Sequence, residues 1–384
     1  GQMGKPGGGV AYGYTITNYL GNNVFKMPYA PLPQGKNLVT DFIPVARVSD
    51  MLLNPGQKFD YDGREYTYPD IDMIYWAGGN PFHHHQDLGR LRKAWEKPST
   101  VVVNEWCWNA LARHADIILP CTTTLERQDI GMTPRDPFVI SMDKAIEPVG
   151  EAKNDYDIFA GIARRMNTED SFTEGRSAED WQKWIWEQSC ERAAKLNVQM
   201  PDYESFREAG FYKSPDLKED RIFLSDFFED PDKNPLKTPS GKIEIFSDTI
   251  DSFNYNDCPG HPTWMEPDEW LGAEEKAYPL HLISNQPKTK LHSQMDNGTL
   301  SSSIKIKGHQ PLEMNPDDAQ SRGITQGDIV RVFNGRGSCL CGVNITADVM
   351  PGVVIISTGS WYDPAEPNDP CLLYTSDAAD DELG

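Results

Sequence analysis

Ile71-Asp-Met-Ile-Tyr-Trp-Ala77 is an apolar run that ends in Gly78-Gly79-Asn80-Pro81. It reads as a buried strand closed by a turn, with a helical stretch at His85–Trp95 behind it. The pattern then repeats: Thr100–Asn104 as strand, Trp106–His114 as helix, Ile117–Leu119 as a short strand stopped by Pro120. Strands alternating with helices imply right-handed crossovers and a parallel sheet. Further helices are expected at Asn154–Met166 and Ser177–Leu196, the second packing Trp181, Trp184 and Trp186 with Ala193 and Ala194. Upstream, residues 10–69 are rich in Gly, Pro, Asn and Tyr and read as ordered loops with short elements. Residues 197–240 are acidic and read as a surface excursion.

From Tyr278 the style changes. Tyr278–Ser284, Asp328–Phe333, Cys339–Ile345 and Gly352–Ser357 read as strands, and Asn315-Pro316 opens one short helix with Asn as cap. Many strands with one helix suggest a barrel. The expected fold is α/β, with Rossmann-like parallel sheet layers and helices over residues 1–277, followed by a β-barrel over 278–370. The segment 371–384 breaks the style of the strands before it and reads as a non-native tail, resembling translated adaptor sequence. At the other end, Gly1–Gly9 reads as the exit from a helix lying further upstream.

Composition narrows the function classes. The 384 residues carry 36 Lys plus Arg against 58 Asp plus Glu, a net charge of −22, which argues against a nucleic-acid or anionic-membrane surface. No apolar run approaches the ~18 residues of a spanning helix. The seven cysteines show no CxxC spacing for zinc or an iron–sulfur cluster and read mostly as unpaired thiols. Walker, G-x-G-x-x-G, G-x-S-x-G and H-E-x-x-H motifs are all missing.

Polar residues gather instead at the ends of strands, where open parallel sheets bind ligands. The first strand is followed by Asn80, Pro81 and His83-His84-His85, the second ends in Asn104-Glu105, and the third leads into Thr122–Asp129 with Arg127. Adjacent helical residues lie ~100° apart, so three neighbouring histidines suit a polar cleft better than one metal ion. Asp155 and Asp157 open the helix at Asn154. They fit dipole compensation, or a carboxylate accepting two hydrogen bonds from a planar edge such as guanine N1–H and N2–H₂. In the β-rich region, Ser284-Asn285-Gln286-Pro287 and Lys290-Leu291-His292-Ser293-Gln294 suit either a phosphate- or pterin-like ligand or an ordinary polar loop.

Several phrases carry a resemblance. They are Gly4-Lys-Pro-Gly-Gly-Gly9, Tyr75–Asp87, Ala112-Arg-His-Ala-Asp-Ile-Ile-Leu-Pro120, Thr122–Asp129, Asp257-Cys-Pro-Gly-His-Pro262, Leu291-His-Ser-Gln294 and Gly359-Ser-Trp-Tyr-Asp363. Through residues 1–369 the chain resembles the C-terminal half of a molybdopterin oxidoreductase, in the branch of dimethyl sulfoxide, trimethylamine N-oxide and biotin sulfoxide reductases. The resemblance implies two molybdopterin guanine dinucleotides holding one molybdenum, and oxygen-atom transfer from an S-oxide or N-oxide. It implies that the barrel is a double-psi barrel, truncated here. Asn80, with Pro81 and His84 beside it, would contact a dinucleotide, Asn104 would lie near a ribose, Arg127 would follow the Thr run, and Asp157 would read guanine. Ser284, Asn285, Gln286, Pro287, Lys290, His292, Ser293 and Gln294 would form the second domain's cofactor loop.

The resemblance also implies absences. The family's molybdenum-ligating serine belongs to an upstream half, so neither a catalytic residue nor a metal ligand is expected here, and this chain alone should be inactive. The family's Asn-Pro-Asn segment and a following Gln should come after Asp363, where the odd tail stands. Electrons would arrive from a cytochrome or reductase. The parent would be a soluble bacterial protein, periplasmic or cytoplasmic, without membrane insertion. A formate dehydrogenase or nitrate reductase relative, or a non-catalytic dinucleotide-binding module, are the alternative readings.

Overall fold

The structure is a computed structural model that describes residues 2–6, 8, 27–132, 137–216, 222–267 and 269–364. Part of the opening glycine run, the whole stretch 10–26 and residues 365–384, which include Cys371 and the expected tail 371–384, lie outside the described residues. Two compact units emerge, Gly1–Thr40 with Pro120–Pro262, and Asp41–Leu119 with Thr263–Gly384. They are called the first and second unit below.

The second unit opens with a helix, Val48–Leu53, and an antiparallel hairpin of β1 (Lys58–Tyr61) and β2 (Arg64–Thr67), the short elements expected within this loop-rich region. Next comes a three-stranded sheet of β3 (Met73–Ala77), β4 (Thr100–Glu105) and β5 (Ile117–Pro120), in the order β3-β4-β5. β3 and β4 pair in parallel from Met73↔Thr100 to Ala77↔Asn104, as strand–helix alternation requires. The helical stretch expected at His85–Trp95 is instead two helices, Pro81–His84 and Leu88–Trp95. Asp87 separates them: it sits in the left-handed region with φ 50° and caps the second helix, its Oδ1 accepting from the Arg90 amide at 3.0 Å. That helix buries Leu88, Leu91, Ala94 and Trp95, one face of a 3.6-residue repeat.

In the first unit, β6 (Asp129–Met132), β7 (Phe138–Met142) and β8 (Phe211–Lys213) form an antiparallel sheet with Gly131↔Ile140 and Val139↔Tyr212 in register. The helix Ala178–Ala194 begins in a capping box between Ser177 and Asp180 and buries Trp181, Trp186 and Ala193, while Trp184 is half-buried and Ala194 exposed. Trp186 stacks on Phe206 with ring centroids 3.8 Å apart, and Val139 and Tyr203 complete this core. The surface excursion expected at 197–240 is thus corrected over its first part. Tyr203 and Phe206 point inward from the helix Tyr203–Ala209, an i,i+3 pair on one face.

The rest of the second unit is a curled five-stranded sheet of β9 (His281–Ile283), β10 (Pro311–Met314), β11 (Ile329–Phe333), β12 (Ser338–Ile345) and β13 (Val353–Ile356), ordered β11-β12-β10-β13-β9. β10 runs parallel to β12 and antiparallel to β13, and β13 runs parallel to β9. Asn315 caps the short helix Pro316–Ser321 by accepting from the Asp317 amide at 2.9 Å. Leu312, Val343 and Ile356 of this sheet share one core with Val103 of the parallel sheet and with Phe82 and Leu91 of the helices that follow β3. Among the described residues no helix is long and apolar enough to cross a membrane.

Candidate functional site

Within the second unit, three loops meet at strand ends. The first leaves β3 through Gly78 and Gly79, both in the left-handed region at φ 82° and 72°, a tight turn that side chains rarely allow. Asn80 follows, 8 % exposed, and caps the helix Pro81–His84 by accepting from the Phe82 amide at 3.0 Å. The Asn80 amide in turn donates to His84 Nε2 at 3.2 Å, which places the proton of the neutral ring on Nδ1. Pro81 is fully buried. The three histidines diverge: His83 stacks on Trp361 at 5.1 Å, His84 folds back on Asn80, and His85 meets Trp76 edge-on. At the end of β4, buried Asn104 accepts from the Tyr75 hydroxyl at 2.8 Å.

The second and third loops are Ser284–Asp296 and Ser357–Asp363. Ser284 Oγ donates to the Ile356 carbonyl at 3.0 Å, the Asn285 carbonyl accepts from the Thr358 amide at 2.9 Å, and Asn285 Oδ1 accepts from Ser357 Oγ at 2.7 Å. Pro287 is buried. Gln286 Nε2 lies 3.4 Å from His292 Nδ1, both exposed. His292 takes φ 48°, Ser293 accepts on its carbonyl from Trp361 Nε1 at 2.8 Å, and Gln294 is exposed with its amide on the Leu291 carbonyl. Lys290 is fully engaged in a buried ion pair with Asp296, whose other oxygen meets Lys305 at 2.9 Å.

Electrostatics follows from this packing. Burial pushes the Asp296 carboxyl up, but hydrogen bonds from Lys290 and Lys305 outweigh it and hold the group below the usual carboxylate range. Burial lowers His84, helped by nearby His292. His83 falls to about 4, through burial first, then His84 and Lys290, with Asp296 opposing. A histidine lowered from an unfolded value of ~6.5 stabilises the fold above that value, and the contribution is lost as pH falls from ~6.5 towards 4. Up to about 3 kcal/mol is at stake. In urea unfolding, the native chain should therefore lose more stability between about pH 7 and about pH 4.5 than His83→Phe, which keeps the ring stack. Parallel losses would show that His83 is not held neutral.

The first unit supplies a separate cavity of about 410 Å³, lined by Glu126, Arg127, Lys144, Lys153, Asn154 and Asp157 among others. Arg127 donates to the Thr122 carbonyl at 2.9 Å and meets Asp129 at 3.3 Å. Glu126 closes a capping box with Thr123 and accepts from the Val149 amide at 2.7 Å. Those amide and hydroxyl bonds lower its carboxyl below the usual range. Asn154 precedes the helix Asp155–Arg165 and accepts from Thr122 Oγ1 at 2.8 Å. Asp157 is exposed in the first turn, and among the described residues its carboxylate makes no hydrogen bond or ion pair. Its charge is uncommitted.

The structure thus gathers Asn80, His84 and the loop residues 284–294 in one unit and sets Arg127 beside Asp157 in the other. The sequence offers His83 only as one of three histidines, and Asp296, Lys305 and Trp361 are not singled out in it. Asp296-Asn-Gly298 has the composition of an ordinary turn, and Trp361 was visible only as part of a phrase. A larger cavity of about 600 Å³, lined by Trp270, Leu282, Met314, Val332 and Phe333 among others, includes none of the expected site residues.

Residues 1–165 match the molybdopterin oxidoreductase family model, and residues 280–381 match the molydopterin dinucleotide binding domain. The chain is 44% identical to a dimethyl sulfoxide/trimethylamine N-oxide reductase of Cereibacter sphaeroides, over 96% of this chain and 46% of that protein. It is also 44% identical to a biotin sulfoxide reductase of the same organism, over 97% of this chain and 50% of that protein. A trimethylamine-N-oxide reductase of Haemophilus influenzae is 41% identical over 95% of this chain and 46% of its own length. The chain therefore spans about half the length of these relatives. Among solved structures, acetylene hydratase from Pelobacter acetylenicus matches with a TM-score of 0.59 at 22% identity, over 79% of this chain and 39% of that one, a likeness of fold. With two family models and long matches above 40% identity, the chain belongs to the molybdopterin oxidoreductases, beside the dimethyl sulfoxide, trimethylamine N-oxide and biotin sulfoxide reductases.

Proposed function

We propose that this chain is the cofactor-holding part of a molybdenum oxidoreductase that reduces an S-oxide or N-oxide, and that it binds molybdopterin guanine dinucleotide. The observation that carries the reading is the cavity where Arg127, Lys144 and Lys153 stand near the uncommitted Asp157 carboxylate. Cations suit phosphate and a free carboxylate suits the donor edge of guanine. Its volume of about 410 Å³ lies within the ~300–1,000 Å³ of small-molecule pockets.

The second unit fits the same kind of group. Asn80 Nδ2, His83 Nε2 and Thr358 Oγ1 are buried without a hydrogen-bond partner among the described residues, and such groups need one. Asn80, with Pro81 setting its turn and His84 behind it, would donate to the dinucleotide. Asn104 would face a ribose, while Ser284, Asn285, Gln286, His292, Ser293 and Gln294 offer hydroxyl, amide and imidazole groups along the opposite loops. Pro287 and Lys290 are buried and would shape the loop rather than touch the ligand. When bound, the cofactor supplies two-electron oxygen-atom chemistry; the chain's share is to hold and orient it. The oxide substrate and an electron donor, a cytochrome or reductase, are the proposed partners of the whole bacterial enzyme. The chain divides by this reading at 277/278, and the five-stranded sheet belongs to a double-psi barrel.

Arg127→Ala tests the assignment. Loss of a charge-assisted contact of ~1.5–3 kcal/mol should weaken guanosine diphosphate binding roughly 10- to 150-fold in equilibrium dialysis. Unchanged binding would leave Arg127 as a brace for Thr122 and Asp129.

A further inference from the structure

We propose that Asp296 is the positioning residue of the loop junction in the second unit, and that Lys290 and Lys305 serve it rather than a ligand. The inference rests on the reading that these loops face a dinucleotide. Asp296 is 3 % exposed and receives the Lys290 ammonium on one oxygen. Its other oxygen receives Lys305 at 2.9 Å and the Trp361 backbone amide at 3.2 Å. One carboxylate thereby ties the Ser284–Asp296 loop, the end of the helix Thr299–Ile304 and the Ser357–Asp363 loop together.

The consequence is felt at residues that can reach a ligand. Trp361 is fixed by its amide on Asp296, by its Nε1–H on the Ser293 carbonyl at 2.8 Å and by His83 against its ring. His292 and Ser293 therefore take their positions from a hub that lies behind them. A buried charge is tolerated only with its partner in place, so removing the Asp296 charge leaves the buried Lys290 ammonium without its counter-ion and Lys305 without its own. Lys290, 2 % exposed at its side chain, has little surface left for a phosphate.

Asp296→Asn keeps the volume and removes the charge, and Lys305→Met is the milder variant if the first does not fold. Hydrogen exchange on the full chain, with guanosine diphosphate as probe, decides the matter. We expect amides of residues 288–294 and 357–362 to exchange at least ~10-fold faster together, with β10 and β12 unchanged, guanosine diphosphate binding at least ~10-fold weaker when measured in the Arg127→Ala background, which leaves the second unit's loops as the site, and partial rescue by Asp296→Glu. Uniform acceleration through β10 and β12, unaltered loops, or loosened loops with undiminished binding would each overturn the proposal. A native chain that binds no guanosine diphosphate would count against the dinucleotide reading itself, and the exchange pattern would still decide whether Asp296 holds the two loops.

Discussion

Alanine at Asp157 is expected to weaken guanine dinucleotide retention roughly 10- to 150-fold, the loss of a charged hydrogen-bond acceptor worth ~1.5–3 kcal/mol. The fold should barely notice. Asp157 is exposed, and the position before the helix belongs to Asn154, which is tied to Thr122. What folding loses is the favourable interaction of a first-turn carboxylate with the helix dipole, about 0.3–1 kcal/mol. The two roles therefore separate cleanly in measurement: a binding isotherm should move by an order of magnitude or more while the urea midpoint hardly shifts. Asp157→Asn sharpens the test, since an amide offers one acceptor oxygen and an NH₂ that would face the guanine donors. Retention equal to the native chain in both variants would reduce Asp157 to a dipole partner.

Gly359→Ala should cost about 3 kcal/mol or more of stability in the second unit. Gly359 has φ +82°, and a Cβ there would lie 2.1 Å from the His292 carbonyl oxygen and 2.8 Å from the Ser293 amide nitrogen. Both obstacles are backbone, so no rotamer relieves them. Either the left-handed residue or the His292–Ser293 segment must move, and Ser293 is itself bonded to Trp361. Gly308→Ala provides the control: its φ of +83° is equally left-handed, but nothing lies within 4 Å of the added carbon. Only the conformational cost of ~1–2 kcal/mol is expected there. Equal urea midpoints for the two variants would show that the close approach of the two loops does not hold in solution.

The parts of this fold that were legible in the sequence are those where polarity and burial agree. β3, expected to be buried, instead has Met73 and Ala77 exposed, and β10 is not among the expected strands; β4, β12, β13 and the helices near Asp155 and Ala178 do announce themselves that way. β7 does not, because it buries Val139 and Ser141 and leaves Phe138 and Ile140 exposed, reversing the usual alternation. Tyr203 and Phe206 escaped notice because a seven-residue helix amid acidic residues offers a single i,i+3 pair as its apolar signal. At the site, strand-end residues such as Asn80 and Asn104 could be placed from the order of elements alone. Asp296 could not: its importance comes from Lys305 and Trp361, which approach it through the fold and not along the chain.

The most direct test of the cofactor reading is to purify the chain from a host that makes molybdopterin guanine dinucleotide, denature it, and assay released pterin and guanine nucleotide together. The account predicts equimolar pterin and guanine nucleotide, both sharply reduced in Asp157→Ala and Arg127→Ala. A folded chain that releases neither would contradict it.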